Sequence, residues 1–418
     1  MNDQSPRSPL EVLGPGLVTG AADDDPSGVG TYSQVGAQFG YGMGWTLVFG
    51  FPLLAAIQAI CARIGATTGR GIAQNLRKHY PPAVLRVVVV LLLVANIINL
   101  GADLGAMGAV VALLIPGPVL AYTVGFGLIS VLLEVFLSYD SYARVLKWAT
   151  LSLFAYVGVV LVADIPLAEM AKGLLVPQFT LDRDHAMALV AIFGTTISPY
   201  LFFWQAGQEV EEQHRRHIKP LHVSPRKTAG AELRRIRLDT LVGMGFSHIV
   251  ALCIVIATAA TLHANGVREI ESAAQAAEAL RPIAGDLAFA LFAVGIIGTG
   301  LLAVPVLAGS AAYAVSETFG WTEGLNRKPK EAKAFYGVIV LATAGGIALN
   351  FIGIDPMKAL YWAAVVNGLL APPLMVVTML IASNPKVMGK LVLSRRLKFV
   401  GWLATIVMWL IAAVFLFA

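Results

Sequence analysis

Long apolar runs separated by short polar connections fill most of the chain, and a run of about 20 such residues is the length that crosses a bilayer as a helix. They predict spans near 12–37, 42–65, 86–113, 117–138, 143–163, 186–207, 239–263, 286–314, 334–352, 356–382 and 399–417. Two of these spans are interrupted. In the first, Asp23-Asp24-Asp25 runs into Pro26-Ser27-Gly28; in the sixth, Gly194-Thr195-Thr196-Ile197-Ser198-Pro199-Tyr200 brings a proline and three aliphatic hydroxyls. Proline lacks a backbone donor and glycine tolerates unusual backbone angles, so each helix is expected to break there and leave carbonyl oxygens free. Ionisable groups at membrane depth are expensive and mark ion or substrate pathways.

The two breaks open two halves of five spans each. An odd number of spans forces the halves into opposite orientations, and paired interruptions at matching positions point to a transporter with inverted repeats and a midplane site. The expected architecture is an all-α polytopic membrane protein, one transmembrane domain over 1–418. Its first repeat covers about 12–163 and its second about 186–382, with an eleventh span at 399–417.

Composition agrees: 57% of residues are hydrophobic and 13% charged, against about 25% charged in soluble domains. The net charge of +5 is explained by its location, without nucleic acid. Basic residues gather in alternate connections: Arg63 to Arg86, Arg144 and Lys147, Arg215 to Arg237, Arg327 to Lys333, and Lys386 to Lys398. These are expected on the cytoplasmic side, which puts the N-terminus inside and the C-terminus outside a cell membrane, here a bacterial inner membrane. No cleavable signal peptide is expected, because Met1 to Pro9 is polar. Cys61 and Cys253 lie in apolar segments and read as packing residues.

Span three adds a polar face. Asn96, Asn99 and Asp103 recur at spacings of three and four, on one side of a helix, while Gly101, Gly105 and Ala109 form a small-residue ridge that lets a neighbour approach. Gln205 and Asn367 are further polar candidates. Asp23 and Asp24 either attract a hydrated ion or hydrogen-bond the broken helix ends, and both readings stay open. Glu134 is expected to pair with Arg144 or Lys147. His214, His217 and His222 sit in a basic loop and read as solvated. No phosphate loop, nucleophile with a base, or closed metal motif occurs, so an enzyme is not expected.

Gly14-Pro15-Gly16, Asp25-Pro26-Ser27-Gly28 and Gly36-Ala37-Gln38-Phe39-Gly40-Tyr41 resemble the opening of the Nramp divalent-metal transporters, whose first-span signature is Asp-Pro-Gly-Asn. Ala62 to Arg70, Ala102-Asp103-Leu104 and Gly194 to Tyr200 extend the likeness. The resemblance implies the LeuT-type fold, two inverted five-helix repeats, with a metal held between broken helices one and six. The family's Asn ligand falls on Gly28, and its Met-Pro-His becomes Ser198-Pro199-Tyr200. Losing the thioether and imidazole shifts preference toward hard ions, and the pattern is similar to the Nramp-related magnesium branch. The expected site is Asp25 with backbone carbonyls near Ala22 and Thr195. Ser198, Gly28, Gln205 and Asn367 then line a hydrated pocket, and Asp23, Asp24, Asp103 and Tyr200 lie along the pathway.

Proton coupling is not expected. Tyr200 replaces the family's histidine, Ala106 its second span-three acid, and span nine has no arginine. The lead expectation is import of Mg2+, with Mn2+ also carried, by alternating access, without a cofactor or an obligate protein partner. Alternatives are a proton-coupled Mn2+/Fe2+ symporter, a sodium-coupled carrier of a small organic solute on the same fold, and a signalling domain. Anionic side chains at Asp23 to Asp25 disfavour an anionic solute, and a signalling role would call for a large soluble extension.

Overall fold

A computed structural model describes residues 14–136, 151–178, 180 and 182–417. The principal helices are α1 (Pro15–Asp23), α2 (Pro26–Phe39), α3 (Trp45–Thr68), α4 (Pro82–Leu114), α5 (Val119–Phe136), α6 (Phe154–Val162), α7 (Arg183–Thr196), α8 (Pro199–Arg215), α9 (Arg226–Thr258), α10 (Ala288–Phe319), α11 (Lys333–Leu349), α12 (Pro356–Ser383) and α13 (Arg395–Phe417). No strand occurs among the described residues.

Among the described residues, nine helical stretches are long and apolar enough to cross a membrane, one of them running through the Ile197-Ser198 break from Arg183 to Arg215. The expected first span is the broken pair α1 and α2, of 9 and 14 residues. Span five is described only in part, from 151; Arg144 and Lys147, the expected partners of Glu134, lie outside the described residues, as do Met1 to Pro9.

Both breaks fall where the sequence puts them. Pro26 and Pro199 each occupy the first turn of the second half-helix, where a missing amide costs nothing because that donor has no intrahelical acceptor. Asp25 caps α2 by accepting from Gly28 N. Ser198 precedes α8 but does not cap it; its hydroxyl turns back to Gly194 O and Thr195 O and closes the end of α7 instead.

Glycine lets two half-helices sit against their neighbours at backbone distance. A Cβ on Gly20 would lie 2.2 Å from Gly243 O, and one on Gly243 would lie 2.1 Å from Gly16 O, which locks α1 onto α9. A Cβ on Gly194 would meet Ala364 O at 2.0 Å, so α7 is seated on α12 in the same manner. Backbone cannot yield as a flexible side chain can. Gly20→Ala therefore has to part α1 from α9, and the expected result is a markedly lower thermal midpoint in detergent, or loss of monodisperse protein. An unchanged midpoint would contradict this packing.

The small-residue ridge of span three packs on α11: Asn350 Nδ2 donates to Gly101 O, and a Cβ on Gly105 would meet Asn350 Oδ1 at 2.4 Å. Cys61 and Cys253 are both free thiols.

One expectation needs correction. Residues 226–238 are not loop, since α9 begins at Arg226, well before the hydropathic span. Its Arg235 is part of a buried network instead of a solvated surface. Arg235 pairs with Glu209 at 2.5 Å and with Glu232 at 2.9 Å, and Arg216 pairs with Glu232 at 2.8 Å.

Candidate functional site

The break in helix one presents its carboxylates in two directions. Asp25, 2% exposed, points away from α9: its Oδ1 accepts from Gly28 N at 2.6 Å, and its Oδ2 accepts from Asn99 Nδ2 at 2.9 Å and from the Tyr200 hydroxyl at 3.3 Å. Asp23 and Asp24 turn toward α9, where Ser247 Oγ lies 2.9 Å from Asp23 Oδ2 and 3.0 Å from Asp24 Oδ1. A hydroxyl has one proton and donates to one of them at a time. Asp103 Oδ1 accepts from Ser27 N at 3.1 Å, and its Oδ2 has no partner.

Gly28 shapes the space beside Asp25. A Cβ there would lie 3.3 Å from each of three oxygens: Asp23 O, Asp25 Oδ1 and Thr195 Oγ1. The Thr195 hydroxyl is buried and hydrogen-bonds to nothing, although a buried polar group without a partner is costly. Because residue 28 has no side chain, helices one and six meet across a small cradle whose three nearest atoms are all oxygens.

Other expected ligands are engaged elsewhere. Ala22 O accepts from the Tyr200 hydroxyl at 3.0 Å, and Thr195 O from Ser198 at 2.7 Å. Of Thr195 it is therefore the hydroxyl, not the carbonyl, that faces the cradle, and the carbonyl there is Asp23's. Asn367 reaches the site through Asn99, donating from Nδ2 to Asn99 Oδ1 at 3.2 Å. Gln205 stands one step removed: its Oε1 accepts from Thr19 and its Nε2 donates to Glu209. Tyr32 and Thr196 share a hydrogen bond at 3.1 Å beside the break.

Asp23, Asp24, Asp25 and Asp103 are each at most 3% exposed, and none forms an ion pair with Lys, Arg or His among the described residues. Buried carboxylates in that position call for a compensating cation or for protonation. No three His, Cys, Asp or Glu side chains converge as a metal cage among the described residues, so any ion held here depends on backbone, hydroxyl and water oxygens to complete its shell.

Two features flank the site. Toward the end of helix one that carries Gly14, Asp239 accepts from the amides of Gly14, Gly16 and Leu17 at 2.9, 2.8 and 3.1 Å. A buried carboxylate on a helix N-terminus satisfies donors that have no intrahelical partner. At the opposite end a cleft of about 310 Å³ is bordered by Gln34, Gln38, Asp184, Glu269, Glu271 and Lys358. Leu360 separates it from the carboxylates: it packs on Gly30, and its carbonyl accepts from Ser27 Oγ.

Ser247 and Asp239 are absent from the residues the sequence singles out. Their signal is the spacing Asp239, Gly243, Ser247, one helical face with a small residue between two polar ones.

The chain matches the profile of the natural resistance-associated macrophage protein-like family over residues 16–418. A "Divalent metal cation transporter MntH" of Klebsiella pneumoniae is 27% identical over 405 residues, covering 94% of this chain and 90% of the relative. One of the same description from Yersinia enterocolitica is 25% identical, covering 96% and 94%. Among solved structures, the Eremococcus coleocola manganese transporter superposes with a TM-score of 0.77 at 17% identity, covering 98% of this chain and 87% of that one. The nucleobase-cation-symport-1 family transporter Mhp1 gives 0.58 at 14%, covering 96% and 92%. These likenesses show the fold, a LeuT-type bundle.

Proposed function

The chain belongs to the natural resistance-associated macrophage protein-like (Nramp) family, and from that premise we propose that it is a divalent-metal transporter of the cell membrane that imports Mg2+ and also accepts Mn2+. The observation that carries the metal choice is the cradle at Gly28. Asp25 Oδ1, Thr195 Oγ1 and Asp23 O are all hard donors, with no thioether or imidazole among them. Such a set suits magnesium, calcium and manganese over softer metals. Three protein oxygens leave about half of an octahedral shell to water, and magnesium commonly keeps several of its waters.

Transport without protons is supported by the direct hydrogen-bond partners of Asp25, which leaves the neighbouring carboxylates Asp23, Asp24 and Asp103 as the groups a proton would have to use. Those partners are an amide, an asparagine and a tyrosine, none of which exchanges a proton readily near neutral pH. The nearest histidine in sequence to Ser247, His248, is turned to Leu47 O. The inside-negative potential then drives entry, at roughly 2.3 kcal/mol per charge per 100 mV. With the basic connections inside, the Asp239 end of the site is cytoplasmic and the acidic cleft faces outward.

The test is uptake of Mg2+ and Mn2+ into liposomes holding the purified protein, with a pH-sensitive dye inside and an imposed potential. Both ions are expected to enter, faster as the interior becomes more negative, with no change in dye signal. Stoichiometric acidification would replace this reading with proton-coupled symport, and entry of neither ion would remove metal transport.

A further inference from the structure

We propose that Tyr200 sets which hard cation the site prefers, by placing its hydroxyl against two protein oxygens and so keeping the bound ion hydrated. This rests on reading the Gly28 cradle as the ion site.

Asp25 has two faces with different fates. Oδ1, with Gly28 N as its donor, borders the cradle. Oδ2 is occupied from the other side by Asn99 Nδ2 and the Tyr200 hydroxyl. The same hydroxyl, at 3.0 Å, also takes Ala22 O, a carbonyl released by the break in helix one. With one proton, the hydroxyl donates to one of these oxygens at a time, but its oxygen stands against both, and so it obstructs the two atoms that would otherwise let Asp25 bind a cation bidentately with a second backbone ligand. It is 1% exposed and starts α8 directly after Pro199, so the ring is held from both its backbone and its surroundings.

The consequence separates cations by their coordination. Calcium takes six to eight oxygens at longer distances and often uses a carboxylate bidentately, whereas magnesium holds an octahedron and gives up water reluctantly. A site offering one oxygen of Asp25, one hydroxyl and one carbonyl satisfies a partly hydrated magnesium and leaves calcium short of ligands. Removing the phenolic hydroxyl would return Ala22 O and one lone pair of Asp25 Oδ2 to the ion.

The measurement is competition in the liposome assay: the concentration of Ca2+ that halves Mg2+ uptake, relative to the Mg2+ KM, in the native protein and in Tyr200→Phe. The expected result is a ratio at least tenfold lower in the variant, with Mn2+ shifted in the same direction by less. A ratio unchanged within twofold, whatever the uptake rate, overturns the proposal. If Tyr200→Phe is not monodisperse, Asn99→Ala decides, since it removes the other donor to Oδ2. It is expected to lower the same ratio, and no shift there also overturns the proposal. If the native protein moves Mn2+ but not Mg2+, the magnesium reading fails alone, and the Tyr200 inference is judged by Ca2+ against Mn2+.

Discussion

Replacing Asp25 by asparagine is expected to abolish uptake while the fold survives. The expected decrease in the initial rate of Mg2+ or Mn2+ entry is at least about 100-fold, equivalent to roughly 2.7 kcal/mol of lost stabilisation of the ion. Asparagine is chosen because Asp25 has two tasks. It caps α2 through Gly28 N, and it supplies the one carboxylate that borders the cradle by its side chain. Asparagine caps a helix about as well as aspartate, whereas alanine at such a position costs about 0.5–2 kcal/mol of stability. Asp25→Asn therefore isolates the charge, and Asp25→Ala mixes it with a weakened helix start. Uptake within threefold of the native rate in Asp25→Asn, at a native thermal midpoint, would place the ion elsewhere.

The second large effect comes from adding a single methyl group. In Gly28→Ala the new Cβ lies 3.3 Å from Asp23 O, Asp25 Oδ1 and Thr195 Oγ1, close enough to fill the cradle and far enough that the neighbours adjust by a few tenths of an ångström. Alanine inside a helix gains roughly 0.5–1 kcal/mol over glycine, which offsets the crowding. Thermal stability is thus expected to change little while uptake falls at least tenfold. A variant that transports normally would show that the ion does not use this cradle. A variant that unfolds would show that Gly28 is a packing residue. The contrast with Gly20→Ala is instructive, since there the added atom meets backbone at 2.2 Å and the loss is structural.

The architecture was legible because its causes are local. Spans follow from apolar length, and both breaks follow from Pro26 and Pro199 with polar residues before them. The face of span three that carries Asn99 and Asp103 follows from spacing alone. Gly101 and Gly105 announced a close neighbour, and α11 is there. The start of α9 was hidden because hydropathy registers the membrane, whereas the helix continues through Arg226 to Leu238 on residues that propagate helix well in water.

What remained illegible in the site was which oxygens stay free. Every candidate atom near the breaks is an oxygen, and tertiary contacts decide among them. Ser198 reaches its own preceding turn, Tyr200 covers Ala22 O, and Thr195 keeps its hydroxyl unpaired. The Tyr200 contact depends on how α8 is set against α1, which no spacing within either segment encodes. Ser247 was missed for the same reason: a serine in an apolar helix carries no mark of the two aspartates it meets.

The seam between α1 and α9 has a meaning for turnover. Asp239 grips three amides at the start of α1, Gly20 and Gly243 interlock along its length, and the Arg235 pairs lie alongside. On the proposed function, the half-helix that must move to let an ion out toward that end is the one whose last residues help to hold it. On the same proposal, release would be metered by how often two helices come apart, so that grip on the ion and speed of its delivery would be separately adjustable properties of one short segment of chain.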